Sequence, residues 1–306
     1  MNPVISLLRP KEWVKNLFLY APLFFGGALL DTHKFILCSI GFVVFSAAAS
    51  AVYIFNDLRD LEFDRQHPAK KLRPLAANLI GTTVAWVILA VLVLVSLVAA
   101  FLLNPAFALV IALYLLLNLA YSIQLKHIAI IDVTCIAAGF LLRIIGGGII
   151  AAIVLSPWLL IMTFLVSLFM GFGKRRDDVL LLHHSGTRMR KSIDGYNLEF
   201  INAAMVVMAS VLIVCYINYI TSPEVVARIA HPYFFVSAFF VTIALLRYLQ
   251  IVLVEQKSSS PTKIVTGDAV IVVMVVCWLL HFAFSIYAHN DLLQGFVAVL
   301  PISCLA

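Results

Sequence analysis

The stretch from Thr32 to Asp64, T-H-K-F-I-L-C-S-I-G-F-V-V-F-S-A-A-A-S-A-V-Y-I-F-N-D-L-R-D-L-E-F-D, decides the fold. Its first part, Lys34 to Asn56, is apolar for the ~20 residues that a helix needs to cross a hydrocarbon core about 30 Å thick. Its last part packs four carboxylates into eight positions directly after that run. The same apolar ruler repeats outward in both directions. It marks nine spans, approximately Glu12–Leu30, Lys34–Asn56, Thr82–Leu103, Pro105–Ile123, Ile128–Ile150, Pro157–Gly173, Phe200–Thr221, Pro232–Val254 and Gly267–Ala288. The composition agrees: 63% of the 306 residues are hydrophobic and 12% charged, against about 25% charged in soluble domains. A soluble globular protein is excluded, and the expected class is an all-α polytopic membrane protein forming one transmembrane domain over residues 1–306. A tail from Leu292 to Ala306 is apolar but too short to count as a further crossing.

The basic N-terminus followed by an apolar run imitates a secretory signal. Pro22, Gly26 and Gly27 interrupt it, however, and many spans follow, so it reads as a mature first helix. The cysteines, Cys38, Cys135, Cys215, Cys277 and Cys304, sit in apolar runs without metal-ligand spacing and read as packing residues. Placing the N-terminus in the cytoplasm puts 17 of the 21 Lys and Arg residues in loops on that side. The positive-inside rule therefore orients the chain with its charged face cytoplasmic, and a bacterial-type plasma membrane is the expected location. Two connections on that face are long and polar, Asn56–Gly81 and Gly173–Glu199, and the chemistry is expected there.

At ~100° per residue, Asn56, Asp57, Asp60 and Asp64 share an arc of about 100° if the helix continues through them. Several carboxylates on one face repel unless a cation sits among them. Mg²⁺ suits the set, with Mn²⁺ as the alternative, because it takes one or two carboxylates and completes its octahedron with water and substrate phosphates. The competing reading is a solvated acidic helix end neutralised by Arg59, Arg65 and Lys70.

N-D-x-x-D-x-x-x-D after a second span, together with Arg73-Pro74-Leu75 and Y-S-I-Q-L-K from Tyr121 to Lys126, resembles the UbiA superfamily of intramembrane prenyltransferases. The resemblance implies a nine-helix bundle around a central cavity open to the cytoplasm, with Mg²⁺ held by Asn56, Asp57, Asp60 and Asp64 against a diphosphate. The second motif departs from the family pattern. Where ordinary members carry a DxxxD-type motif, this chain has G-K-R-R-D-D from Gly173 to Asp178, with adjacent carboxylates and three cations before them. More cations and fewer metal-facing carboxylates match several phosphate groups better than one diphosphate.

With R-P-K-E-W-V-K-N from Arg9, H-P-A-K-K-L-R-P from His67 and G-F-L-L-R-I-I-G-G-G from Gly139, the chain is similar to the decaprenyl-phosphate phosphoribosyltransferase branch. That resemblance implies transfer of 5-phosphoribose from phosphoribosyl pyrophosphate (PRPP) to a polyprenyl phosphate lipid, giving a precursor of lipid-linked arabinofuranose. The partners are then PRPP, the lipid and the membrane, with no nucleic acid; a homo-oligomer is compatible with the sequence and not specified by it. A prenyltransferase acting on an aromatic acceptor is the rival enzyme, and a transporter or lipid-binding protein the rival class.

On this reading Asp57, Asp60 and Asp64 are catalytic through the metal. Lys174 and Arg175 face donor phosphate, Arg73 and Lys126 the diphosphate or acceptor phosphate, and Lys11 and Lys15 a phosphate near the bilayer surface. Juxtamembrane cations also serve as topology anchors, and that reading competes at every one of these positions. Asn16, Tyr53, Tyr121 and Asp177 are expected to line the site. Asp132 and Arg143 lie eleven residues apart in the fifth span, about 20° from one helical face. A charge at bilayer depth costs ~2.5 kcal/mol or more, so both are expected to face a wet cavity or to pair with another span. The three glycines Gly146–Gly148 follow no strand and read as close helix packing rather than a phosphate loop.

Overall fold

The structure, a computed structural model, describes residues 2–66, 70–185, 191–229, 231–256 and 261–287. The expected tail from Leu292, His67 and Lys257 lie outside the described residues. All the regular elements described are helical, and eight of the helices are long and apolar enough to cross a membrane.

The chain forms two compact units, Met1–Leu198 and Glu199–Ala306. In the first, a short α1 (Pro3–Leu8) leads into a 3-10 helix over Pro10–Tyr20 and then α2 (Ala21–Phe25). The long α3 (Thr32–Arg59) follows, capped by Asp31, whose carboxylate accepts from the Lys34 amide at 3.1 Å. After α4 (Leu61–Gln66) come α5 (Thr82–Leu103) and α6 (Pro105–Ile123). Asn104 both ends α5 and caps α6, taking the Ala106 amide at 2.8 Å, and Pro105 occupies the first turn where no N–H is needed. Then follow α7 (Ile131–Ala151) and α8 (Pro157–Ser185).

Two expectations change. The first apolar span is not one α-helix: it is the 3-10 segment plus α2, because Pro10 and Pro22 remove donors and Gly26 and Gly27 end the turn, Gly27 at φ 73°. It is therefore not among the eight membrane-length helices. The second polar connection is also shorter than expected, because α8 runs on from Gly173 to Ser185. No breaker interrupts that stretch, and Arg175 supports it with an i,i+3 pair to Asp178 at 2.5 Å.

Helix α3 is the axis of this unit: α5, α6 and α7 pack along it, and α7 in turn receives α8 and the 3-10 segment. The core between them holds Leu19, Phe45, Ala48, Phe107, Ile111 and Ile150. The glycine run makes the close approach possible. A Cβ on Gly147 would stand 2.0 Å from the Leu19 carbonyl oxygen, and one on Gly146 would meet the Phe107 ring at 3.0 Å.

The second unit contains α9 (Leu198–Thr221), α10 (Pro223–Ile229), α11 (Ser237–Leu253), α12 (Pro261–Gly267) and α13 (Ala269–Tyr287). Within it α11 packs along α13. Tyr216 ties three elements together, its hydroxyl donating to Ser237 Oγ at 2.9 Å and accepting from Trp278 Nε1 at 2.7 Å. Cys38 and Cys135 are buried free thiols, as the apolar setting of both predicts.

Candidate active site

The acidic motif sits where α3 ends. The helix breaks at Asp60, φ −95° and ψ 14°, yet the Asp60 amide still donates to Asn56 O and the Asp64 amide to Asp60 O, both at 2.9 Å. The turn therefore carries on into α4, and Asp57 and Asp64 come out on the same side. Both are buried, each 3% exposed at the side chain. Arg73 Nη1 lies 3.1 Å from Asp57 Oδ1 and 2.5 Å from Asp64 Oδ2, so one guanidinium nitrogen joins two carboxylates. Lys70 adds a cation 3.8 Å from the other oxygen of Asp64.

Arg9 completes the group. Its guanidinium donates to Asp57 and stands 5.2 Å over the Tyr53 ring. The backbone that presents it is unusual: Arg9 has φ 53° and ψ 58°, the left-handed region, at the joint between α1 and the 3-10 helix. Asp60 pairs with Lys126 at 3.1 Å, while Asn56 accepts a hydrogen bond from Ser122. Among the described residues Arg59 and Arg65 make no such pairs; they donate to the Ile123 carbonyl at 3.2 Å and to Asn78 Oδ1 at 2.7 Å.

This arrangement bears on the expected metal. Among the described residues no three His, Cys, Asp or Glu side chains are grouped to hold an ion. Asp60 pairs with Lys126 and Asn56 accepts from Ser122, so neither shares the Arg73 nitrogen that joins Asp57 and Asp64. Asp57 and Asp64 nevertheless aim two hard oxygens at one point of positive charge, now filled by an Arg73 nitrogen. Two carboxylates with phosphate oxygens are the donor set that Mg²⁺ takes. The residues fit the ion on condition that Arg73 moves aside.

The charges inside α7 have partners of their own. Arg143, 6% exposed, donates from Nε to Asn16 Oδ1 at 2.8 Å, from Nη1 to the Gly139 carbonyl at 2.8 Å and from Nη2 to Tyr114 Oη at 3.2 Å. The rings of Phe45, Tyr114 and Phe140 surround it at 5.0 to 5.3 Å. Its positive charge is held by dipoles and ring faces. Asn16, fully buried, is fixed in turn by donating to Ser46 at 2.9 Å.

Asp132, also fully buried, lies against Arg175 of α8 at 2.7 Å, and Ser192 and Tyr196 donate to it at 3.1 and 2.7 Å. Burial, and then the bond to the Asp132 carboxylate, push the Tyr196 phenol well up. Of the two residues expected to face a common wet cavity, each is therefore tied to other elements. Arg175, expected on donor phosphate, is fully buried between Asp132 and Asp178, two carboxylates against its one positive charge. The adjacent carboxylates split as the 100° spacing requires, Asp178 inward and Asp177 half-exposed.

Lys174 is exposed one residue before the buried arginine, and its charge is close enough to act on Glu12 in the 3-10 segment. Lys15 binds Glu12 at 2.6 Å, and Lys11 is exposed on the same segment. Tyr121 is half-buried near the end of α6. The motif reading thus locates Asp57, Asp60, Asp64, Arg73 and Lys126 in one neighbourhood. It misses Arg9 and Ser122 as members, though both lie in quoted strings, R-P-K-E-W-V-K-N and Y-S-I-Q-L-K, and it misses Ser192 and Tyr196 as partners of Asp132.

Residues 17–266 match the model of the UbiA prenyltransferase family. The chain is 36% identical over 280 residues to a decaprenyl-phosphate phosphoribosyltransferase from Mycobacterium tuberculosis, covering 90% of this chain and 91% of that one. It is 35% identical over 288 residues to the protein of the same name from Corynebacterium glutamicum, covering 93% and 86%. Among solved structures, it resembles a UbiA homolog from Archaeoglobus fulgidus bound to DMAPP and Mg²⁺, with a TM-score of 0.69 at 18% identity, covering 94% of this chain and 100% of that one. The broken acidic helix, the altered second motif and this extent of likeness place the chain in the UbiA prenyltransferase family, within its decaprenyl-phosphate phosphoribosyltransferase branch.

Proposed function

We propose that the chain transfers 5-phosphoribose from PRPP to a polyprenyl phosphate, releasing pyrophosphate. The bond from the anomeric carbon to the diphosphate oxygen breaks, and an oxygen of the lipid phosphate takes its place on that carbon. The acceptor is already anionic near neutral pH, so the site needs no strong general base; its work is to hold phosphates and neutralise the leaving group. Bound at Asp57 and Asp64, Mg²⁺ would supply a Lewis acid for the departing diphosphate.

The observation that carries this reading is the ring of cations around two buried carboxylates. Arg73 and Arg9 occupy Asp57 and Asp64 and, once freed from them, are within reach of incoming phosphate oxygens. Lys126 on Asp60 adds a third cation, and Lys174 with Lys11 and Lys15 a further exposed group for the ribose 5-phosphate and the lipid phosphate. PRPP and the lipid together bring more negative charge than one prenyl diphosphate, and this surplus of cations answers it. Arg143 and Asn16 hold the 3-10 segment that carries Lys15, so they act on substrate through that segment.

The charged face and the N-terminus lie in the cytoplasm, with the 3-10 segment and α2 supplying a ninth crossing. Purified chain given labelled PRPP, decaprenyl phosphate and Mg²⁺ is expected to form a lipid-soluble phosphoribosyl product and pyrophosphate in equal amounts. Turnover only with a prenyl diphosphate and an aromatic acceptor refutes the assignment.

A further inference from the structure

The turn that enters α7 is strained. Ile130 has φ 69° and ψ −48°, and the Ile131 amide donates to the Ala129 carbonyl at 2.8 Å. This is the rare form of γ-turn, and for a β-branched residue a positive φ is a genuine outlier. Such backbone persists only where its surroundings over-determine it. The Ile130 side chain supplies no such hold, being 48% exposed.

The hold comes from the segment after α8. The Ile130 amide donates to Tyr196 Oη at 2.6 Å, and Tyr196 Oη donates to Asp132 Oδ1 at 2.7 Å. One phenol thus ties the strained residue to the first turn of α7. Ser192 and Arg175 fix the other oxygen of Asp132 at 3.1 and 2.7 Å. Gly195 presses against the same turn, since a Cβ there would stand 2.6 Å from Ala129 Cβ. Immediately before the turn, the 3-10 helix Leu125–His127 carries Lys126, which reaches Asp60 of the acidic motif at 3.1 Å.

We infer that Tyr196 is a positioning residue: its hydroxyl holds the strained turn at Ile130 and thereby sets Lys126 against Asp60 at the donor site. The inference rests on the phosphoribosyl-transfer reading for its kinetic consequence and on the turn alone for its structural one. Tyr196 contacts no reacting atom; it acts through three residues of backbone.

Strain makes the idea testable by rescue. Glycine adopts φ 69° without steric cost, so Ile130→Gly lets the turn form without the hydroxyl. Tyr196→Phe is expected to raise the KM for PRPP about fivefold while kcat changes less than twofold. Adding Ile130→Gly is expected to return the KM to within twofold of the starting value. In the double-mutant cycle of unfolding midpoints, Ile130→Gly should raise the midpoint less, or lower it more, in the Tyr196→Phe background than predicted by additivity, because the full strain it relieves exists only while the hydroxyl holds the turn.

A simple packing defect would not respond to removal of an exposed side chain, so a folded double variant with no recovery of KM overturns the inference. An unchanged KM in Tyr196→Phe overturns it as well. If the unmodified chain does not turn over PRPP, the assigned reaction fails; the midpoint cycle still decides the latch, and additive midpoints reject it.

Discussion

Gly147→Ala tests the packing that supports the site. The new Cβ would stand 2.0 Å from the Leu19 carbonyl oxygen, 2.8 Å from its carbonyl carbon and 3.0 Å from its Cα. These are backbone atoms, which no rotamer change can clear. Ordinary contact begins at 3.4 Å, so the 3-10 segment and α7 must part by about 1.4 Å. Asn16 lies one turn before Leu19 on that segment, and its Oδ1 is 2.8 Å from Arg143 Nε. A shift of that size takes the pair beyond hydrogen-bond distance. Overpacking costs about 1–3 kcal/mol, and loss of a buried charge-assisted hydrogen bond roughly another 1.5–3. A total near 3–5 kcal/mol should lower the thermal unfolding midpoint of detergent-purified protein by many degrees and raise the donor KM as Lys15 moves with the segment. Gly81→Ala is the control, because a Cβ there meets nothing within 4 Å. If Gly147→Ala unfolds within a degree or two of the control, the close contact is not the source of this unit's stability and the chain of reasoning from glycine to Asn16 is wrong.

Four further outcomes are expected. Chelating divalent ions, or replacing Asp57 or Asp64 by Asn, should abolish phosphoribosyl transfer while leaving a folded chain, measured as product formation beside an unfolding scan. Arg9→Gln removes one of the two cations on Asp57, itself partly exposed, so Mn²⁺ should bind the donor-free protein about fivefold more tightly, read by paramagnetic resonance; unchanged affinity means Arg9 does not compete with the ion. Asp132→Asn leaves Arg175 with only Asp178 and should cost about 3–5 kcal/mol in unfolding free energy, since a buried pair broken on one side leaves its charge uncompensated. Hydrogen bonds from Arg247 hold Asp268 below the usual carboxylate range. Its support is complete above the ordinary carboxylate pKa near 3.9 and is lost as pH falls through the lowered value, so Asp268→Asn should lower stability at neutral pH and flatten the acid limb of the profile below about pH 4.

Where the sequence carries its own punctuation, the fold is legible. Gly81 and the Asn104-Pro105 pair bracket two spans that coincide with α5 and α6. Boundaries fail where charge is mistaken for loop: the polar residues from Lys174 to Asp178 continue α8, because helical spacing lets Arg175 meet Asp178. The acidic motif is readable because its geometry is local, four side chains on successive turns. Of its partners, Arg73 is legible through the Arg73-Pro74-Leu75 string, whereas the pairing of Arg9 is not, since it reaches Asp57 from 48 residues away. Tyr196 is invisible for a different reason. Residue type argues against a positive φ at isoleucine, so nothing in the string announces a strained turn or the phenol that holds it.

The second motif explains how a prenyltransferase fold can accommodate a sugar phosphate. In this chain Asp178 and Asp132 are both committed to Arg175 inside the protein. The second motif therefore withdraws a carboxylate from the site and leaves Lys174 exposed beside it. The first motif is left with two convergent carboxylates, already matched by Arg9 and Arg73. Any added divalent ion makes this neighbourhood strongly positive, a state that is costly until anions arrive. Metal and donor should thus bind together rather than in sequence, each raising the other's affinity by the same factor. A donor with a diphosphate and a separate phosphate satisfies that excess better than a prenyl diphosphate, whose tail brings no charge. Substrate choice, on this argument, follows from one buried arginine that turns two acids inward.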